Sequence, residues 1–358
     1  MIKREVDMVV AFIILLSYIP QKFHGTFSIV ACDTLRGEVG VAVASKFLAV
    51  GSVVPFAEEG VGAVASQAFG NPNFGPIALK MLKEGVNPDS IIKYLSSIDT
   101  LFDRRQVGIV SAKGQSASWT GKSCISYAGH KNGFCYAIQG NILVGDTVLK
   151  AMEAAFIESE GEDLPDRLIR ALEAGDLAGG DARGRQSAAL LVMRKNGGYA
   201  GLWDKYVDIR VDDHPDPIPE LKRIYALWQR FFMLDAYGRI GDQYLKEGKK
   251  ELAQNEYSRA MEIMKKVIAE SPDDPDLLNE VAWFMVLRDI DLKEAKELID
   301  KALTIKPDDP NILDTAALIY YKLGYKKKAI ELESRACKLD PENKYFKEML
   351  EKFRKGKI

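Results

Sequence analysis

The chain opens its folded part with period-two patterning. Residues 26–31 are β-branched, aromatic and small. Residues 39–45 repeat that character after Asp33-Thr34-Leu35-Arg36-Gly37-Glu38, whose turn chemistry predicts a hairpin. A third apolar run lies at 60–65. The period then changes: Ile77, Ala78, Met81 and Leu82 share helical spacing and predict a helix over 76–85 closed by Gly85. Pro88 opens a second helix through Leu95. Strand patterns return at 106–110, 116–120 and 136–140, helical ones at 147–158 and 164–174. Strands at 187–194 and 200–203 flank the turn Lys195-Asn196-Gly197-Gly198. Strands, two helices, strands, two helices, strands is an α+β order. It fits a four-layer αββα sandwich better than an alternating doubly wound sheet. A helix from Pro219 to about Met233 leads onward.

The remainder is periodic. Ser271-Pro272-Asp273-Asp274-Pro275, Lys306-Pro307-Asp308-Asp309-Pro310 and Leu339-Asp340-Pro341-Glu342-Asn343 recur, with Pro272, Pro307 and Pro341 spaced 35 and 34 residues apart. Twelve residues before each proline stand Ala260, Ala295 and Ala329, and five before stand Val267, Ala302 and Ala336. Small side chains at fixed phase let paired helices approach, and proline ends the second helix. Residues 235–355 therefore resemble tetratricopeptide repeats, an all-α array of about three units, although Val286 and Trp283 depart from the family's aromatic and glycine positions. That resemblance implies a surface for a peptide or protein partner, with self-association or simple stabilisation as the plainer role. Lys326-Lys327-Lys328 reads as a solvated face.

Composition narrows the rest. With 358 residues, 47% hydrophobic and 28% charged, the chain is of ordinary globular make-up and holds two or three domains. A net charge of -2 gives no reason to expect nucleic acid. The first 25 residues differ: Lys3 and Arg4 precede an apolar run from Met8 to Leu16, short for a spanning helix, as in a secretory leader. Export, or tethering by that segment, is the expectation. Asp7 and the bulky Phe23 argue for the alternative, a start near Thr26 and a cytoplasmic protein. The expected organisation is a leader over 1–25, a domain over 26–218, a connecting helix over 219–234 and repeats over 235–358. Of the cysteines Cys32, Cys124, Cys135 and Cys337, the pair Cys124 and Cys135 is nearest in sequence. If Lys131-Asn132 were a two-residue hairpin loop, however, Cys135 would face Ala128, so no disulfide is implied. Without metal-type Cys/His spacing, no metal and no cofactor are expected.

Three histidines leave little room for Ser/His/Asp chemistry, and His130 and His214 read as local structural residues. Thr26 offers another route. It follows Gly25 and begins a strand; cleaved there, it would carry a hydroxyl and a free α-amine. An amine with an ordinary pKa of about 7.7–8.0 can take the hydroxyl proton near neutral pH.

Several blocks, taken in order, carry a resemblance. They are 26–31, 40–47, 62–68, Ala128-Gly129-His130, Gln139-Gly140-Asn141, 179–188 and Val211-Asp212-Asp213-His214-Pro215. Together they resemble an uncharacterised domain family of the Ntn-hydrolase superfamily, over about Thr26 to Arg223. The resemblance implies an amidohydrolase acting on a small amide, with Thr26 forming an acyl ester. Lys46 resembles a lysine that lowers the amine's pKa by like-charge repulsion. Asn141 and Gln67 are candidate oxyanion donors. In the 179–187 segment Arg185 is a candidate for an acidic substrate group, or else pairs with Asp181 or Asp213. Gln186 and Asp181 complete the expected substrate-binding set. Asp212-Asp213 are too few carboxylates for a cation site. A silent binding domain and a protein that only processes itself are the competing functions.

Overall fold

The computed structural model describes residues 25–358, which divide into two units after Trp228. The leader expected over 1–25 lies outside the described residues except for Gly25.

The first unit begins with β1 (Thr26–Asp33) and β2 (Glu38–Ser45), then β3 (Pro55–Glu58) and β4 (Gly62–Ala68). Helices α1 (Phe74–Lys83) and α2 (Pro88–Ile98) follow. Next come β5 (Arg105–Ser111), β6 (Ser116–Thr120), β7 (Gly129–Gly133) and β8 (Tyr136–Asn141). After α3 (Thr147–Glu158) and α4 (Leu164–Leu177), strands β9 (Ser187–Met193) and β10 (Lys205–Val211) precede α5 (Pro217–Trp228). One sheet has the order β10-β9-β2-β1-β8-β7 and the other β3-β4-β5-β6, with antiparallel pairing throughout both.

The two sheets face each other through small and β-branched side chains. Val30, Val41 and Val43 meet Ala63, Ala65 and Val110. Alanine at these positions lets the sheets pack closely. On the outer side of the four-stranded sheet, Phe74, Ala78, Ile91 and Leu95 of α1 and α2 cover Val64, Val107 and Ile109. Helices α3 and α4 pack together, and α4 lies on β1 and β2. Side-chain alternation sorts β1 between these layers. Phe27 reaches Gly175 of α4, whereas Ser28 binds Gln67 of the opposite sheet.

Three segments differ from the sequence reading. The strand expected at 200–203 is a 3-10 turn, Tyr199–Gly201, and the partner of β9 is β10. Gly198 and Asn196 close a longer loop by donating to Trp203 O and Asp204 Oδ1, so the turn residues serve a loop rather than a tight hairpin. Lys131 and Asn132 lie within β7, and the hairpin turns at Phe134-Cys135, with Cys135 at φ +67°. Neither of the short strands β3 and β7 has a buried face: one is half-buried along its length, the other alternates half-buried and exposed positions.

The second unit opens with a π-helical turn, Gln229–Met233, then α6 (Leu234–Lys246) and α7 (Lys250–Glu270). Pairs α8 (Pro275–Leu287) with α9 (Leu292–Ile305), and α10 (Pro310–Lys322) with α11 (Lys326–Leu339), follow, and α12 (Lys344–Lys355) closes the array. The recurring Asp-Pro has a local cause. Asp274 and Asp309 cap the helices that Pro275 and Pro310 begin, each accepting two backbone N–H bonds. Ala260, Ala295, Ala302, Ala329 and Ala336 are fully buried, as close helix pairing requires.

Candidate active site around Thr26

Strand β1 runs down the middle of the six-stranded sheet, and its first residue stands opposite Ser45 of β2 and Asn141 of β8. Thr26 is 3% exposed. It lines a cavity of about 230 Å³ together with Ser66, Gln67, Phe47, Val54 and Phe69. Its Oγ1 lies 3.1 Å from Ser45 Oγ.

The carbonyl just before Thr26 is held by two donors. Ser45 Oγ donates to Gly25 O, and Arg183 Nη2 donates to it at 2.8 Å. Asp181, nearly buried, orients that guanidinium through Arg183 Nε at 3.0 Å and Nη2 at 2.6 Å. The same carboxylate accepts the Lys46 backbone N–H at 2.9 Å. A Cβ at Gly25 would stand 2.7 Å from Asp181 Oδ1, so only glycine fits against this carboxylate.

Behind Thr26 lies a buried polar network between the sheets. Ser28 Oγ donates to Gln67 Oε1 at 2.6 Å and accepts from Gln139 Nε2 at 2.6 Å. Gln67 Nε2 and Asn141 Nδ2 both donate to Gln106 Oε1 at 2.9 Å. Gln106 Nε2 reaches Gly140 O at 2.7 Å. Gln67 Nε2 also lies 3.3 Å from Thr26 O. Gly108 makes room for this arrangement, because a Cβ there would meet Gln139 Oε1 at 1.9 Å. Gln67 and Gln106, bonded at both ends of their amides, hold the start of β1, while Gln139 Oε1 is buried without a hydrogen-bond partner among the described residues.

A profile described as a family of unknown function, DUF1028, matches residues 26–221. The chain belongs to the DUF1028 family. A DUF1028 protein from Silicibacter pomeroyi, solved by crystallography, is 30% identical over 57% of this chain and 89% of its own, with a TM-score of 0.51. Tetratricopeptide repeats match at 234–274 and 311–343. Solved repeat domains are similar there too. The Sgt2 domain from Aspergillus fumigatus is 19% identical over 32% of this chain and 78% of its own, TM-score 0.27. The second domain of human RPAP3, solved with an HSP70 peptide, is 21% identical over 33% and 92%, TM-score 0.26. No curated protein matches.

Within the DUF1028 domain the site residues expected from sequence fall into two groups. Thr26, Asn141, Gln67 and Asp181 gather at the start of β1. Arg185 and Gln186 do not join them. Arg185 bonds Asp176 Oδ1 at 2.8 Å and Asp216 Oδ1 at 3.0 Å, rather than Asp181 or Asp213. It lines a separate cavity of about 500 Å³ with Phe27, Ser45 and Asp181. Gln186 Nε2 donates to Asp213 Oδ1 at 3.1 Å. Lys46 sends its ammonium to Arg185 O at 2.9 Å. His130 sits at an exposed position with its Nδ1 2.9 Å from Thr120 Oγ1, and partial desolvation lowers its pKa. His214 Nδ1 accepts the Asp216 N–H.

Sequence reasoning missed Ser45, Gln106 and Arg183. Gln106 left a signal, a glutamine opening the otherwise apolar run Val107-Gly108-Ile109-Val110. Arg183 lay in the segment already singled out, but only the fold shows that it, and not Arg185, reaches Gly25.

Proposed function

We propose that the DUF1028 domain is an N-terminal-nucleophile amidohydrolase on a four-layer αββα, Ntn-hydrolase-like sandwich, with Thr26 as nucleophile once the Gly25–Thr26 bond is cut. The observation that carries this reading is the grip of Ser45 Oγ and Arg183 Nη2 on Gly25 O, directly before a threonine that lines a cavity. In self-cleavage, Thr26 Oγ1 attacks the Gly25 carbonyl carbon. Negative charge then develops on an oxygen that already has a hydroxyl and a guanidinium donor; one such donor is typically worth about 2.7–4 kcal/mol in the transition state. The Thr26 nitrogen takes a proton and leaves, giving a Gly25 ester that water hydrolyses.

The freed α-amine then serves as base for the same hydroxyl against an added amide, whose carbonyl oxygen takes the place vacated by Gly25 O. Asn141 is a further donor beside Thr26, and Gln67 fixes the Thr26 main chain. Lys46, as an amine-tuning cation, is the weakest member of the set because its ammonium is bound at Arg185 O. A carboxylate-bearing substrate would engage Arg185 only by displacing Asp176 and Asp216. The apolar walls of the smaller cavity favour a small amide with an apolar part.

The grip on Gly25 O equally suits a protein that performs only its own cleavage. Assaying the Thr26-initiated protein and its Thr26→Ala form against a panel of small amides separates the readings. Turnover lost in the variant supports the hydrolase. Leader removal that depends on Thr26, without turnover of any amide, supports self-processing alone. Wild-type ligand binding that survives Thr26→Ala, with neither reaction, supports a binding domain. We assign the repeats to docking of a peptide or protein partner, with self-association as an alternative. Export follows from the leader reading, and cell fractionation tests it.

A further inference from the structure

Cys32 ends the inward face of β1, and Cys135 is the second residue of the β7–β8 turn. Ala31 pairs with Tyr136, so the next step of the antiparallel ladder brings Cys32 opposite Cys135, and the Cys32 N–H donates to Cys135 O at 2.9 Å. Both side chains enter the same cluster between the sheets, with Val39, Val41 and Ala137. The two thiols are near enough to perturb each other's ionisation. Directly opposed strand residues have Cα atoms about 4.5–5.5 Å apart, inside the span a disulfide bridges. Cys32 is 1% exposed, whereas Cys135 is half-buried.

We propose that Cys32 and Cys135 form a dithiol–disulfide couple that staples β1 to β8 when a low-molecular-weight disulfide is the oxidant. The Cys135 thiolate attacks one sulfur of the oxidant, forms a mixed disulfide and expels one thiolate. The Cys32 thiol then loses its proton and attacks the Cys135 sulfur, expelling the second thiolate. Two cysteine thiols become one disulfide, the oxidant is reduced to two thiols, and the two cysteine protons end on them. The division of labour follows the environments. Cys135 is the more accessible thiol and the neighbouring Cys32 lowers its pKa, which suits it to attack first, while Cys135 and burial raise Cys32, which stays protonated until it resolves. The linkage joins residues 32 and 135, about half of the first unit's described length, so it restricts a long loop of the unfolded chain.

The test treats the purified full chain with glutathione disulfide under native conditions, caps free thiols with N-ethylmaleimide and maps peptides by mass. The expected product is a Cys32–Cys135 cross-linked peptide with Cys124 and Cys337 capped, and a thermal midpoint for the first unit higher by about 10 °C. Cys135→Ser should abolish the cross-link and leave Cys32 slow to cap. Two capped thiols at Cys32 and Cys135 after oxidation, a lasting glutathione adduct on Cys135, or a Cys124–Cys135 peptide would overturn the proposal.

Discussion

Two buried glutamates, one in each unit, show what a counter-charge changes. Glu38 of β2 is 1% exposed and lies 3.1 Å from Arg194, itself 2% exposed. Glu333 of α11 is fully buried beside Asp314 of α10, a second acid whose charge acts on it. Burial raises both carboxyls. The Arg194 guanidinium limits Glu38 to about 7, whereas the Asp314 charge adds to burial and carries Glu333 to about 9. Burial of a carboxyl therefore yields an ion pair in one place and a pair of mutually repelling acids in the other.

The largest way to break that comparison is to remove the counter-charge. Arg194→Leu strands Glu38 and should destabilise the first unit by about 3–5 kcal/mol in urea unfolding, the usual cost of an uncompensated buried charge. Gln106→Leu removes the acceptor that Gln67 and Asn141 share, and should cost about 2–3 kcal/mol through the donors it orphans. In the repeats, removing a charge should stabilise instead. Folding raises the pKa of Glu333, so the folded state holds a proton the unfolded chain releases. Stability from this pair is complete below the ordinary carboxylate range and is lost as pH rises from about 4.5 to about 9. Glu333→Gln should flatten that decline and stabilise the repeats at pH 8 by about 1–2 kcal/mol in denaturant titration. The smallest expected effect is Asp309→Ala, which loses two cap bonds and about 1 kcal/mol.

The repeats were legible because their spacing reports a physical unit: Asp-Pro caps, proline stops and alanine crossings recur whatever the remaining residues are. The first domain was legible where one face is apolar, as in β1, β2 and β9. It was misread where no face is buried. Gly129-His130-Lys131-Asn132-Gly133 is an edge strand without a buried face, so little in it fixes register, and Lys131-Asn132 passed for the turn. The site was only half visible for a related reason. Thr26, Gln67 and Asn141 stand out as polar residues beside strand patterns. The roles of Ser45, Arg183 and Gln106 depend instead on contacts between β2, the 179–187 segment and the two sheets, at separations no local pattern encodes. The cysteine couple was hidden likewise, because shifting the β7–β8 turn by three residues replaces Cys124 with Cys32 as the neighbour worth considering.

Thr26 as a nucleophile with a free α-amine is the claim on which the enzymatic account stands. Intact-mass analysis of the full-length gene product, wild type beside Thr26→Ala, tests it most directly. The account expects wild-type protein to begin at Thr26 and the variant to keep residues ahead of position 26. An active wild-type protein whose mass still includes those residues would contradict it.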